Sequence, residues 1–168
     1  MVISIVRRKL TELEITELVE NVRIFPNLAY VSPNRWRHFA DPYCLLVDGH
    51  FAGVCAIYNF KNWVKLGPLV LLQKFHGKGL GKNLLHKIIQ DNINTSIFIV
   101  SSNPAVQYIV TSCDFQHISS YFSLPLSVQL FLIQQLVEHL NFSFIREGIR
   151  KKFFLRRGEI KFYVKFKF

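Results

Sequence analysis

The sequence predicts a single α/β domain in which helices flank a mixed, mostly antiparallel sheet. Two features of the sequence predict this fold. First, two apolar strands, Tyr43 to Val47 and His50 or Phe51 to Tyr58, are joined by the turn Asp48-Gly49, which is a strong hairpin signal. Second, a strand from Val64 to Leu72 leads through a glycine-rich turn into an amphipathic helix that ends near Gln90. No internal repeat, linker or low-complexity tract divides the 168 residues, so we expect one domain.

The elements before the hairpin are short. Val2 to Val6 is an expected strand, and a capping box of Thr11 and Glu14 begins a helix that ends near Arg23. A second helix is expected from Asn34 to Phe39, because Ser-Pro precedes it. The apolar face of the first helix is expected to hold Leu13, Leu18, Val19 and Val22.

After the glycine-rich turn and its helix, the predicted elements alternate between strands and helices. Ser96 to Val100 predicts a buried strand, Ser102-Asn103-Pro104 begins a helix that Asp114-Phe115 ends, and His117 to Ser123 suggests a further strand. Within the central strand, Gly67-Pro68 predicts a bulge because proline cannot donate to a ladder.

The last quarter predicts an additional helix, Leu126 to about Leu140, and a basic hairpin of Lys151 to Leu155 and Ile160 to Phe168. Lysines alternate with apolar residues in the last strand, as in an edge strand protected from aggregation. The apolar stripe of the helix is expected in the core, with a partner or membrane face as the alternative. That stripe consists of Leu126, Leu130, Ile133, Val137 and Leu140.

The glycine-rich turn is the strongest candidate for a binding site. Gly77, Gly79 and Gly81 let the backbone curl at a helix N-terminus, where unpaired N–H groups and the helix dipole favour an anion. Lys78 and Lys82 add positive charge. The turn therefore predicts a phosphate site, with a ligand-free strand-to-helix turn as the alternative.

The spacing of the glycines excludes two common phosphate loops. Gly81-Lys82 is followed by Asn83 rather than Ser or Thr, and Gly-x-Gly-x-Gly is not the dinucleotide pattern. His76-x-x-Gly79-x-Gly81 instead resembles the pyrophosphate loop of the GNAT superfamily of acetyl-CoA-dependent N-acetyltransferases, with His replacing the usual Gln or Arg. The thirteen positions from Asn103 to Phe115 resemble a second motif of that superfamily. The resemblance covers residues 43 to 115, whereas residues 116 to 168 diverge from the common pattern.

The resemblance implies acetyl-CoA or a longer acyl-CoA as cosubstrate, an amine as acceptor, and no metal. In such enzymes the main chain of the central strand binds the pantetheine arm and the acyl carbonyl, and the glycine loop binds the pyrophosphate. The residues implied to bind the cofactor are Val70, Leu71, His76, Gly77, Lys78, Gly79, Leu80, Gly81, Lys82 and Asn103.

The catalytic acid is not where the resemblance implies it. Val110 occupies the position of the usual tyrosine, so Tyr108 is the nearest aromatic hydroxyl and the catalytic candidate, with a packing role as the alternative. Lys65 is the one ionisable residue in the central strand, which therefore offers no carboxylate as a base. Weaker candidates for acid or base are Cys113, His117, Tyr121, His50, Asp48 and Asp41.

Charge and cysteine content add two expectations. The net charge is +10, and nine Lys or Arg residues lie between Arg146 and Lys167. This charge has two interpretations: binding of an anionic partner such as RNA or an acidic protein, or a solvated surface without a partner. The three cysteines form no CxxC pair and no apolar run is long enough to span a membrane, so we expect a cytoplasmic protein. Three functions remain open: an N-acyltransferase, an acyl-CoA-binding module without turnover, and a basic RNA- or ribosome-associated protein.

Overall fold

The computed structural model describes residues 1–25, 27–28, 30–139, 146, 149–150 and 158–167. Seven strands in this part of the chain form one sheet. The strands are β1 Ile3–Arg7, β2 Tyr43–Val47, β3 His50–Phe60, β4 Trp63–Leu71, β5 Ser96–Ser101, β6 Gln116–Ile118 and β7 Lys161–Lys165. The helices are α1 Glu12–Ile24, α2 Pro33–His38, α3 Leu80–Asp91, α4 Pro104–Thr111 and α5 Leu126–His139. None of these helices has the length and apolarity that crossing a membrane requires.

The sheet is mixed and mostly antiparallel, as the sequence predicts. Its strand order is β1-β2-β3-β4-β5-β7-β6, and the single parallel pair is β4 with β5. The predicted hairpin of β2 and β3 is confirmed, and both turn residues, Asp48 (φ 49°) and Gly49 (φ 80°), are left-handed.

The pairing of β4 with β5 covers less than half of β4. Trp63 to Leu66 pair with β5, whereas β4 continues to pair with β3 as far as Leu71. The parallel ladder stops where Gly67 and Pro68 follow, and proline has no N–H to donate. The predicted bulge is confirmed by a register shift between Cys55 and Ile57 of β3. The two central strands consequently separate beyond Leu66 and leave an opening in the sheet.

Helices cover both faces of the sheet. On one face, α3 and α4 bury an apolar cluster that includes Leu84, Ile88 and Val110, all less than 1% exposed. On the opposite face, α1 and α2 pack through Leu18 and Trp36, and α5 packs further along the same face. Each fully buried aliphatic side chain contributes roughly 1.5–3 kcal/mol.

The capping box at the start of α1 is confirmed and is reinforced by an ion pair. The Thr11 hydroxyl accepts from the Glu14 amide, and the Glu14 carboxylate accepts from the Thr11 amide at 2.9 Å and from Arg8 at 2.6 and 2.8 Å. The predicted position of Leu13 is wrong, because its side chain is 79% exposed. The buried apolar residues of α1 begin instead at Ile15, next to the buried Glu14.

Two predictions about the C-terminal strands are wrong. The strand expected from His117 to Ser123 ends at Ile118, because Ser120 caps a 3₁₀ turn over Tyr121–Ser123. The strand expected at the edge of the sheet, β7, lies between β5 and β6. In an edge strand the lysines would face solvent, whereas Lys165 of β7 donates a hydrogen bond to the Cys113 carbonyl at 2.7 Å. The first strand of the predicted hairpin, residues 151–155, lies outside the described residues.

The helix α5 exists as predicted but buries a different face. Much of the expected core stripe is more than half exposed in the structure: Leu126, Leu130, Ile133 and Val137. Instead, Val128 and Gln135 are buried, and the Phe131 ring stacks on Phe60 at 3.9 Å. Aromatic contact with β3 therefore sets the rotation of the helix. Leu140 lies outside the described residues.

The Arg8–Glu14 pair predicts a pH-dependent contribution to stability. Burial raises the pKa of the Glu14 carboxyl, but the hydrogen bonds from Arg8 and Thr11 outweigh this effect and hold that pKa below its usual value. Glu14→Gln should therefore lower the free energy of unfolding by about 2 kcal/mol at pH 7. The difference from wild type should persist above about pH 5 and disappear as the pH falls through the native pKa of Glu14.

Urea unfolding at pH 7 and pH 3 measures both values. Glu12→Gln is the matched control, because Glu12 also pairs with an arginine, Arg37 at 2.8 Å, but on the exposed surface. Its loss of stability should be much smaller than that of Glu14→Gln, because solvent screens an exposed ion pair. Equal losses in the two variants would contradict the special role of Glu14.

Candidate functional site

The opening between β4 and β5 forms a groove that runs from the glycine loop into the sheet. A cavity of about 470 Å³ lies between the loop, α3 and α4, and a smaller one of about 110 Å³ lies between the diverging strands. The two cavities share lining residues and are therefore continuous, and we call them together the groove. The shared residues are Asn27, Leu28, Leu69, Leu85, Asn103 and Val106.

The glycine loop presents unsatisfied backbone donors to this groove. Gly79 is the N-cap of α3 with φ 72°, a left-handed conformation that a side chain would strain. Its carbonyl accepts from the amides of Lys82 and Asn83 at 3.0 and 3.2 Å. Within the described residues, the amides from Gly77 to Gly81 have no hydrogen-bond acceptor. These donors and the N-terminal end of the α3 dipole make the loop a candidate anion site.

His76 fastens the loop to the end of β4. Its Nε2 lies 2.9 Å from the Leu71 carbonyl oxygen, and since a carbonyl only accepts, Nε2 carries the hydrogen. The imidazole ring also packs against Phe25, with 4.9 Å between the ring centroids. The imidazole therefore holds the start of the glycine loop against the end of β4.

Asn21 of α1 holds the same strand end from the opposite face. Its Nδ2 donates to the Leu71 carbonyl at 3.0 Å, and its Oδ1 accepts from the Gln73 amide at 3.1 Å. Asn21 was not among the residues predicted from the sequence to form the site. The available signal was a polar side chain between Leu18 and Val22 on the buried face of a helix.

Most of the residues predicted to bind a cofactor border the groove. The loop cavity is lined by eight of them: Leu71, His76, Gly77, Gly79, Leu80, Gly81, Lys82 and Asn103. Val70 lines only the smaller cavity. Lys78 lines neither, and its Nζ lies 5.6 Å from the centroid of the Phe75 ring.

The second motif has the geometry of a capped helix. Asn103 is the N-cap of α4, and its Oδ1 accepts from the Ala105 amide at 2.9 Å. At the other end Asp114 takes φ 63°, a left-handed conformation that aspartate tolerates better than most residues with a side chain. Asn103 thus lies where the loop cavity and the smaller cavity meet.

The predicted acids do not border the groove. The Tyr108 side chain is 78% exposed and lines neither cavity, so it neither packs in the core nor faces the opening. Val110, in the usual tyrosine position, is fully buried. The Cys113 thiol lies 3.3 Å from His86, and the Tyr121 hydroxyl donates to the Gln129 carbonyl. His117 packs beside the Tyr163 ring.

The predicted bases are also elsewhere. Asp48 accepts from the Val2 amide at 2.7 Å, His50 lies 3.0 Å from the Asp48 carbonyl in the same turn, and Asp41 is exposed. Among the described residues that line the groove, only His76 and Lys82 are ionisable. In the same described part of the chain, no three His, Cys, Asp or Glu side chains group as metal ligands would.

Two features of this structure are typical of the acetyltransferase class that the sequence resembles. The sheet opens between two parallel strands, and a loop with free amides precedes the N-terminus of the following helix. The model of the acetyltransferase (GNAT) family matches residues 9–108. This match spans more than half of the chain, and the protein belongs to that family. A comparison with curated protein sequences finds no match.

Solved structures share the fold at low sequence identity. The N-acetylglutamate synthase of Neisseria gonorrhoeae, complexed with coenzyme A and N-acetyl-glutamate, matches 98% of this chain with a TM-score of 0.69 and 16% identity. This chain covers 35% of the length of that synthase. The ribosomal-protein-S18-alanine N-acetyltransferase of Escherichia coli matches 97% of this chain and 91% of its own, with a TM-score of 0.59 and 12% identity. A GNAT acetyltransferase from Streptococcus pneumoniae matches 98% of this chain and 100% of its own length, with a TM-score of 0.59 and 12% identity.

The bridge made by Asn21 predicts a stability effect. Asn21→Ala would leave the partly buried Gln73 amide without its acceptor and deprive the Leu71 carbonyl of one of two donors, so the free energy of unfolding should fall by about 1–2 kcal/mol. Urea unfolding measures the change. Asn94→Ala, in an exposed turn, is the control and should change stability by about 0.5 kcal/mol or less. A loss no greater than that of the control would show that the bridge contributes nothing.

Proposed function

We propose that this protein transfers an acetyl or longer acyl group from acyl-CoA to an amine acceptor by direct attack. The observation that carries the proposal is the set of open loop amides at the α3 N-terminus, which border a groove leading into the split sheet. A diphosphate fits donors of this kind, and the groove continues as an apolar channel past Leu69 and Val106. Membership of the GNAT family and the shared fold support the same ligand.

The proposed binding mode assigns a role to each part of the groove. The amides from Gly77 to Gly81 and the Lys82 ammonium hold the pyrophosphate. The main chain of β4 at Val70 and Leu71 has no partner strand on the β5 side within the described residues and binds the pantetheine arm opposite Asn103, except through the Leu71 carbonyl, which accepts from Asn21 and His76. Bound acyl-CoA supplies the activated acyl carbon, and the small cavity between β4 and β5 receives that end of the molecule.

The chemistry requires a positioned amine and two proton movements. The amine nitrogen forms a bond to the acyl carbon and the carbon–sulfur bond breaks. The nitrogen loses two protons between ammonium and amide, of which the thiolate gains one and solvent keeps the other. The Nε2 hydrogen of His76 is committed to the Leu71 carbonyl, so we assign both transfers to water rather than to a side chain. Catalysis then rests on proximity and on backbone donors along β4.

A second candidate function is acyl-CoA binding without turnover. The scarcity of ionisable side chains along the described lining of the groove favours it. The two functions share the binding step and differ in thiol release. A calorimetric titration with acetyl-CoA therefore tests both, and a thiol-release assay with a panel of amines separates them. No feature of the described residues favours RNA binding.

The loop predicts which substitutions weaken CoA binding. Gly79→Ala forces a side chain into a left-handed N-cap, and Lys82→Gln removes a full charge at the helix mouth, so each should raise the Kd for acetyl-CoA by about tenfold. Calorimetric titration gives both values. Lys87→Gln is the matched control, because this lysine of the same helix pairs with Asp91 at 2.7 Å, outside the groove. Its Kd should equal that of the wild type.

No detectable affinity of the folded wild-type protein for acetyl-CoA would refute the acyltransferase and the binding module together. A Kd that rises equally in the Lys87 variant would show that only general charge matters.

The exposure of Tyr108 predicts that its hydroxyl is dispensable. Tyr108→Phe should leave the rate of thiol release within about twofold of the wild type, because the side chain lines neither cavity of the groove. A steady-state assay with acetyl-CoA and an accepted amine measures this rate. A loss of tenfold or more would restore Tyr108 as the catalytic acid, since its Phe variant keeps the ring.

A further inference from the structure

A separate cavity of about 600 Å³ lies on the opposite face of the sheet, between α2, the end of β3 and α5. We call it the α2–α5 cavity. Its walls combine aromatic rings with polar groups, and none of its residues lines the groove. The lining residues that matter are Tyr30, Arg35, His38, Phe39, Tyr58 and Glu138.

Two cations and one carboxylate meet around the Tyr58 ring. The Arg35 guanidinium carbon lies 5.8 Å from the ring centroid and the Lys65 ammonium 5.2 Å. Lys65 donates to the Gln135 side chain. Glu138 is the one carboxylate in the described lining, and its oxygen is 3.6 Å from Arg35, outside hydrogen-bonding distance.

The local charge is therefore positive and incompletely compensated. Burial, and to a smaller extent the Arg35 charge, lower the pKa of the Lys65 ammonium to about 8, so Lys65 remains mostly protonated at pH 7. The Arg35 side chain keeps 25% exposure, so its planar fork is accessible to a carboxylate in the cavity. An anion bound there would offset the repulsion between the two cations.

The α2–α5 cavity adjoins the groove along two stretches of chain. Asn27 and Leu28 line the groove, and Tyr30 and Val31, which follow closely in sequence, line this cavity. In the sheet, Ile57 of this cavity pairs with Leu66, the residue at which β4 and β5 begin to separate. Paired residues of β3 and β4 therefore line the α2–α5 cavity on one side and the end of the groove that we assign to the acyl group on the other.

We propose that the α2–α5 cavity is the acceptor site and that Arg35 selects an amine that also carries a carboxylate. This inference rests on the proposed acyl transfer and names its acceptor class. The Tyr58 and Phe39 rings, in edge-to-face contact at 5.4 Å, form the wall against which an apolar part of the acceptor packs. Glu138 competes with the acceptor for Arg35.

The test compares matched acceptors that differ only in the carboxylate. Thiol release with saturating acetyl-CoA is measured for L-phenylalanine against L-phenylalaninamide and for L-leucine against L-leucinamide. We expect kcat/KM at least tenfold higher for the carboxylate member of at least one pair. Arg35→Gln should raise KM for that member by about tenfold and leave its amide partner and the Kd for acetyl-CoA unchanged.

Two further variants make the assignment specific. Arg37→Gln is the control, because this α2 arginine pairs with Glu12 at 2.8 Å and does not line the cavity. It should behave as the wild type. Glu138→Gln removes the competing carboxylate and should lower KM for the carboxylate acceptor. Equal or better turnover of the amides in both pairs, or equal losses in the Arg35 and Arg37 variants, would overturn the proposal.

A binding measurement separates failure of this proposal from failure of acyl transfer. N-acetyl-L-phenylalanine and N-acetyl-L-phenylalaninamide, which resemble products, are titrated into the protein without CoA. Tighter binding of the acid, lost in the Arg35 variant alone, supports the site even if acetyl-CoA is not turned over. Equal binding of both probes overturns it even if acyl transfer occurs.

Discussion

The candidate site depends on the separation of β4 from β5 beyond Leu66. A fully paired parallel ladder would satisfy the backbone of β4 on both sides and leave no space in the sheet. Gly67 and Pro68 stand where the ladder stops, and because Pro68 has no N–H the pairing cannot simply continue. The pairing with β3 resumes after the bulge and keeps β4 in the sheet. The glycine loop, α3 and α4 surround the opening that results.

The proposed ligand-binding part of the site is a property of the backbone more than of side chains. His76 stands where the family motif has Gln or Arg, yet its Nε2 bonds to the strand, while Asn21 holds the same carbonyl from α1. The open donors are main-chain amides, and any sequence that keeps the loop geometry keeps them. This independence from side-chain identity is consistent with a fold shared at 12–16% identity.

The two faces of the sheet differ in their chemistry. The groove has only His76 and Lys82 as ionisable groups in its described lining, whereas the α2–α5 cavity has Arg35, His38 and Glu138, with Lys65 beneath. In the proposed reaction, acyl delivery therefore depends on positioning, and discrimination between acceptors depends on charge. Direct attack by the amine is compatible with this division, because the reaction depends more on the proximity of the two substrates than on acid or base side chains.

The sequence by itself determined the features that a few neighbouring residues specify: the hairpin turn at Asp48, the capping box at Thr11, the loop around Gly79 and the Asn103 cap. Each depends on local backbone geometry, which short side chains and glycines control directly. Only the tertiary structure decided the rest, notably the partners of Asn21, the exposure of Tyr108, the place of β7 inside the sheet and the buried face of α5. These depend on contacts between distant residues, such as Phe60 with Phe131, and helical spacing alone does not say which apolar stripe will find a partner.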